Sequence, residues 1–109
     1  MFKLIISLRK PTNHEQFEEN YNKLLALVEK MPAIIRRQVV DVHGSPGGET
    51  SYHRILEVYF EDKQNMELSM MCQRGQQTGE HLATLPAGSF EIFFGEVYEE
   101  EGGSTPPSK

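Results

Sequence analysis

Tryptophan is absent, cysteine occurs once, and basic residues are outnumbered, eleven Lys plus Arg against sixteen Asp plus Glu. Each shortage excludes something. A lone Cys72 has no partner for an internal disulfide, which fits a reduced, cytoplasmic protein. The net charge of -5 argues against nucleic acid or an anionic membrane surface as the main partner, since both are bound through clustered cations. Metal-ligand spacing is missing too: His14, His43, His53 and His81 form no HExxH or HxH pattern, and there is no cysteine pair. No GxSxG elbow, GxGxxG or Walker loop occurs either, so the motifs call for neither a metal nor a cofactor. The apolar run within Met1 to Arg9 covers only about seven residues, and no small-residue cleavage site follows it. A strand is expected there, not a signal peptide or membrane span.

What is present suits one domain. The 109 residues are 38% apolar and 25% charged, with six Phe and four Tyr, enough for a single core. Phe2 to Arg9 (FKLIISLR) has apolar residues on both faces and reads as a strand covered on both sides. Pro11 stops it, and Thr12 with Glu15 fits a capping box opening a helix. In that helix Phe17, Tyr21, Leu24, Val28 and Met31 recur at spacings of three and four and form its apolar stripe. Pro32 ends it. Strands are expected over Ile34 to His43 and Tyr52 to Phe60, joined by the Gly44-Ser45-Pro46-Gly47-Gly48 hairpin loop. Asp62 then caps a helix carrying Met66, Met70 and Met71, and Gly75 and Gly79 predict a kink or a break into a second short helix. Phe90 to Tyr98 is the last strand. The domain is expected to span 1–98, with 99–109 (EEEGGSTPPSK) as a mobile tail.

This order is β-α-β, β-α-β with a central hairpin. It predicts an α+β fold of ferredoxin-like βαββαβ type, a four-stranded antiparallel sheet with its helices on one face. Alternation sends Phe2, Leu4, Ile6 and Leu8, with Tyr52, Arg54, Leu56, Val58 and Phe60, toward the helices. The open face then holds Ile5, Ile55, Tyr59, Phe93 and Val97 among Lys3, Ser7, Arg9, His53 and Glu57. An apolar patch of that kind asks for a cover, and a second copy packed sheet to sheet supplies one, so a homodimer is expected. Its enclosed polar set is the candidate site. His53 and Glu57 are the candidate acid or base, and Ser7, Arg9, Arg37 and Tyr59 are candidate ligand contacts. An ion pair of Glu57 with Arg36 or Arg37 across adjacent strands is the purely structural alternative.

The sequence also resembles the EthD family of the dimeric α+β barrel class over about residues 2 to 98. The resemblance lies in KLIISLRKP, in Phe17 and Tyr21 followed by Lys30-Met31-Pro32, in YHRILEVYF with its Glu57 and Phe60, and in the closing FFGEVYE. It implies a homodimer built sheet to sheet, with a cavity in each subunit bounded by sheet and helices. The family is associated with ethyl tert-butyl ether degradation alongside a cytochrome P450 system, without a clear chemical role. Relatives in the barrel class include cofactor-free monooxygenases and haem-degrading enzymes, so the fold does not choose a reaction. Many members carry a histidine in the second half of the first helix, where this chain has Leu24 within the apolar stripe. Two functions follow as expectations: binding or transformation of a small organic molecule in a degradation or oxidation pathway, or a non-catalytic accessory role beside an oxidoreductase.

Overall fold

Strand and helix alternate as β1 (Phe2–Arg9), α1 (His14–Glu29), β2 (Ile34–Asp41), β3 (Tyr52–Phe60), α2 (Lys63–Met71), α3 (Gln73–Ala83) and β4 (Phe90–Glu96) in the computed structural model. The structure describes residues 1–102, so most of the expected mobile tail lies outside the described residues. The strands pair antiparallel in the order β2-β3-β1-β4, which is the ferredoxin-like arrangement.

One core joins the sheet to the helices. Leu4, Ile6 and Leu8 of β1 and Leu56, Val58 and Phe60 of β3 are buried together with Tyr21, Leu24 and Val28 of α1. Each such side chain contributes roughly 1.5–3 kcal/mol relative to exposure. The α1 stripe forms as its spacing predicts, and Met31 completes it. Its start differs by one residue from the capping box: Asn13 is the N-cap, and its Oδ1 accepts the Gln16 amide at 3.0 Å. Asn and Asp are at least as good as Thr in this place, because the short side chain reaches the free amides of the first turn. Beyond Pro32 the chain reverses through Ala33, a non-glycine residue with φ of 67°.

The second helical segment breaks at Cys72, ahead of the two glycines. Its extended backbone (φ -72°, ψ 170°) makes it at once the C-cap of α2 and the N-cap of α3. The Cys72 amide still donates to the Leu68 carbonyl at 3.1 Å, and the Cys72 carbonyl accepts from Gln76 at 2.9 Å. Gly75 permits the break, because a Cβ there would collide with the backbone carbonyls of Ser69 and Met70. Gly79 has no such reason, since a Cβ on it meets nothing within 4 Å. Asp62 caps α2 as expected, accepting the Asn65 amide at 2.8 Å.

Two register slips rearrange the faces. Opposite β1, Leu8 pairs with Arg54 and Arg9 with Tyr52, which leaves His53 as an extra residue in a bulge. Consequently His53 turns to the helix side, its ring 4.8 Å from Phe17 and 6.0 Å from His14 on α1. Tyr52 turns to the open face, where its ring lies 5.0 Å from the Arg9 guanidinium. Both reverse the expectation from simple alternation, which treats a strand as unbroken. In β2 a second slip between Ile34 and Arg36 sets Arg36 opposite Tyr59 and Arg37 opposite Val58. Arg37 therefore lies on the helix side, donating to the Leu25 carbonyl of α1 at 3.5 Å.

Candidate functional site

The open face of the sheet carries two polar clusters. In the first, Lys3 of β1 donates to Glu57 of β3 at 2.7 Å, and both side chains are largely shielded from water. Tyr59 lies beside them with the Arg36 guanidinium 4.2 Å above its ring, and its hydroxyl donates to Gln38 Oε1 at 2.9 Å. The hydrogen bond to Glu57 holds the Lys3 ammonium above the usual lysine value against the opposing effect of burial. Glu57 thus pairs with Lys3 of β1 and with neither Arg36 nor Arg37. In the second cluster Arg9 pairs with Glu91 of β4, and its other nitrogen donates to Ser51 Oγ at 2.9 Å. Ser7, buried, lies opposite Glu91 in the pairing register.

Of the residues singled out from the sequence, Ser7, Arg9, Glu57 and Tyr59 share this face. His53 and Arg37 do not. His53 and Glu57 occupy opposite faces of the sheet and form no acid-base pair. Around these polar clusters Val40 is 42% exposed and Phe93 47% exposed, so the face stays apolar in part.

On the other face, between sheet and helices, lie two cavities, the smaller mainly under α3 and the larger at the start of α1. The smaller, about 200 Å³, is walled by Leu4, Ile6, Val28, Met31, Met70 and Ile92. Its polar members are already engaged: Gln76 Nε2 donates to the Met71 carbonyl at 2.9 Å, and Thr78 Oγ1 to the Arg74 carbonyl at 3.1 Å. The helices do not cover β4, so Ile92, though it pairs with Ile6 and faces them, is 42% exposed. Gly79 also borders this cavity. The larger cavity, about 340 Å³, lies between the start of α1, the end of β1 and the Leu85–Ser89 segment. Arg9 is its one member from the sequence candidates, and Lys10, Asn13, Gln16 and Asn20 border it as well. No Asp, Glu, His or Cys lines either cavity among the described residues.

Tyr21, which also lines the larger cavity, is buried with Arg54 4.5 Å over its ring, and burial raises its hydroxyl above the usual tyrosine value. Arg54 is fixed by Asp41 at 2.8 Å and Glu18 at 3.1 Å. Burial works against its charge, but these two carboxylates outweigh it and raise its pKa. Together they tie α1 to β2 and β3. No group of three or more potential metal-ligating side chains occurs among the described residues.

The sequence offered only faint pointers to the cavities. An isolated Gly79 within a helix was one, and carboxamides at positions 13, 16 and 20, which share one edge of α1, were another. Neither indicates a cavity until α1, α3 and the sheet are assembled.

Fold and cavities together define a class: ferredoxin-like α+β proteins with space for a small molecule between sheet and helices. Within it, an EthD-family protein from Bacillus halodurans matches with a TM-score of 0.84 at 26% identity, over 90% of this chain and 99% of its own. The EthD resemblance thus holds in the structure as in the sequence. A hydroxynitrile lyase from Passiflora edulis matches at a TM-score of 0.71 and 10% identity, over 93% of this chain and 96% of its own. A protein from Bacteroides fragilis, described as dimeric, ferredoxin-like and of unknown function, matches at 0.61 and 20%, over 88% and 95%. The last two share the fold alone. No family model and no curated protein matches the chain.

Proposed function

We propose that this chain binds a small, mostly apolar organic molecule in the 200 Å³ cavity between sheet and helices, as a component of a degradation or oxidation pathway. The observation that carries the reading is the cavity's lining. Its walls are almost wholly aliphatic or thioether, and its few polar groups already have partners. Such a space offers water few hydrogen-bond partners, and apolar cavities of about 150 Å³ take up benzene. Met31 and Met70 give walls that adapt to shape, and the uncovered flank at Ile92 gives a route in. Because no carboxylate, imidazole or thiol lines the cavity, the reading favours holding the molecule over acid-base conversion by this chain's own residues. His53 and Glu57, outside the cavity, then leave uptake unchanged when replaced by Ala and Gln.

The functional unit in this reading is a homodimer closed over the open sheet face. Its support is the exposed Val40 and Phe93 on that face, together with the dimeric description of the Bacteroides fragilis neighbour. Toluene titrated into protein carrying labelled methionine methyls tests the cavity. Saturable shifts at Met31 and Met70 are expected, and Gly79→Leu, which plugs the mouth without meeting any atom at its Cβ, abolishes them. Unchanged methyl signals in the wild-type protein would overturn the assignment.

A further inference from the structure

The larger cavity differs from the smaller in size and in chemistry. Its 340 Å³ falls within the range of ordinary ligand pockets, roughly 300–1,000 Å³. One layer of side chains separates the two, because Leu8, Leu24 and Leu85 wall the larger where Ile6, Val28 and Leu82 wall the smaller. The floor is apolar, with Phe17 beside Leu8 and Leu24. The polar members are two cations, three neutral amides and three hydroxyls, namely Arg9 and Lys10, Asn13, Gln16 and Asn20, and Thr12, Tyr21 and Ser89. In a chain of net charge -5 with sixteen carboxylates, none of those carboxylates borders the space.

The polar groups are also unequally free. Arg9 is held by Glu91 on the open face. Asn13 uses Oδ1 to accept the Gln16 amide and keeps its Nδ2 donor. Lys10 forms no ion pair among the described residues. An apolar floor with unpaired donors and a free ammonium at the rim matches a molecule with an apolar body and an acceptor-rich, anionic head.

We infer that this cavity is a second ligand site, separate from the apolar one, and that it takes a small organic acid of the aromatic carboxylate kind. The body lies against Leu8, Phe17 and Leu24, and the carboxylate meets Lys10 and the carboxamide edge of α1. The site is independent of the smaller cavity, which lacks any cation. It gives the two cavities complementary tastes, one for a neutral apolar molecule and one for an acid.

Amide-resolved NMR with benzoate and benzyl alcohol as probes tests it on the full chain. Benzoate is expected to shift the amides of Lys10, Thr12 to Phe17 and Ala87 to Ser89 saturably, leaving Met70 and Gly79 unmoved. Lys10 is exposed, so Lys10→Glu leaves the fold intact. That change is expected to weaken benzoate about tenfold while leaving benzyl alcohol unaltered. Equal binding of benzoate and benzyl alcohol, benzoate shifts centred on Met70 and Gly79, or unchanged benzoate affinity in Lys10→Glu would each overturn the proposal.

Discussion

Two glycines four residues apart in α3 show how little residue type alone reveals. Gly75 is enforced by the carbonyls of Ser69 and Met70, whereas Gly79 looks onto open space. Gly75→Ala is therefore expected to destabilise by about 1–3 kcal/mol through forced backbone movement. Gly79→Ala is expected to stabilise by about 0.5–1 kcal/mol through helix propensity. Urea unfolding of the two variants checks the opposite signs. The Lys3–Glu57 pair gives a second prediction at this scale. A lysine whose folded value lies above its unfolded one, about 10.4, adds stability that is complete below that value and is lost as pH rises through the folded value. Stability relative to Lys3→Met should thus be steady near neutral pH and fall as pH climbs above about 10. Parallel urea titrations at neutral and alkaline pH would expose a constant difference, which the pairing does not permit.

At the scale of the element, local signals were mostly sufficient. Tyr52 to Phe60 is a strand with the bounds its β-branched and aromatic content predicts, and α1 presents Tyr21, Leu24 and Val28 as its spacing requires. What sequence periodicity missed were the single-residue irregularities. The bulge at His53 sends that ring to α1 and brings Tyr52 under Arg9, and the slip in β2 removes Arg37 from Glu57. Alternation assumes that each residue flips the face, and an inserted residue breaks the count without any mark in the local composition. The helix start was likewise displaced by one, from Thr12 to Asn13. Asn13→Ala is expected to cost about 1 kcal/mol, read as a lower thermal midpoint, while Thr12→Ala leaves it within error.

For the whole molecule, the open face and the cavities set the predictions. Phe93, 47% exposed beside Ile5, lies on the edge strand β4 of the face proposed to meet a second copy. Phe93→Asp is expected to convert the dimer into a 12.5 kDa species in light scattering, because a charge there is buried unpaired on association. A wild-type protein that already runs as a single chain at micromolar concentration removes the dimer from the reading. The sequence by itself determined the order of elements, the ferredoxin-like class and the apolar stripe of α1, because these rest on periodicity and on turn and cap residues that act over a few positions. Only the tertiary structure decided which candidates meet. It paired Glu57 with Lys3, separated His53 from Glu57, and opened two cavities of different chemistry between sheet and helices. Those outcomes depend on strand register and on how far the helices reach across the sheet, and both are fixed by contacts between residues distant in the chain.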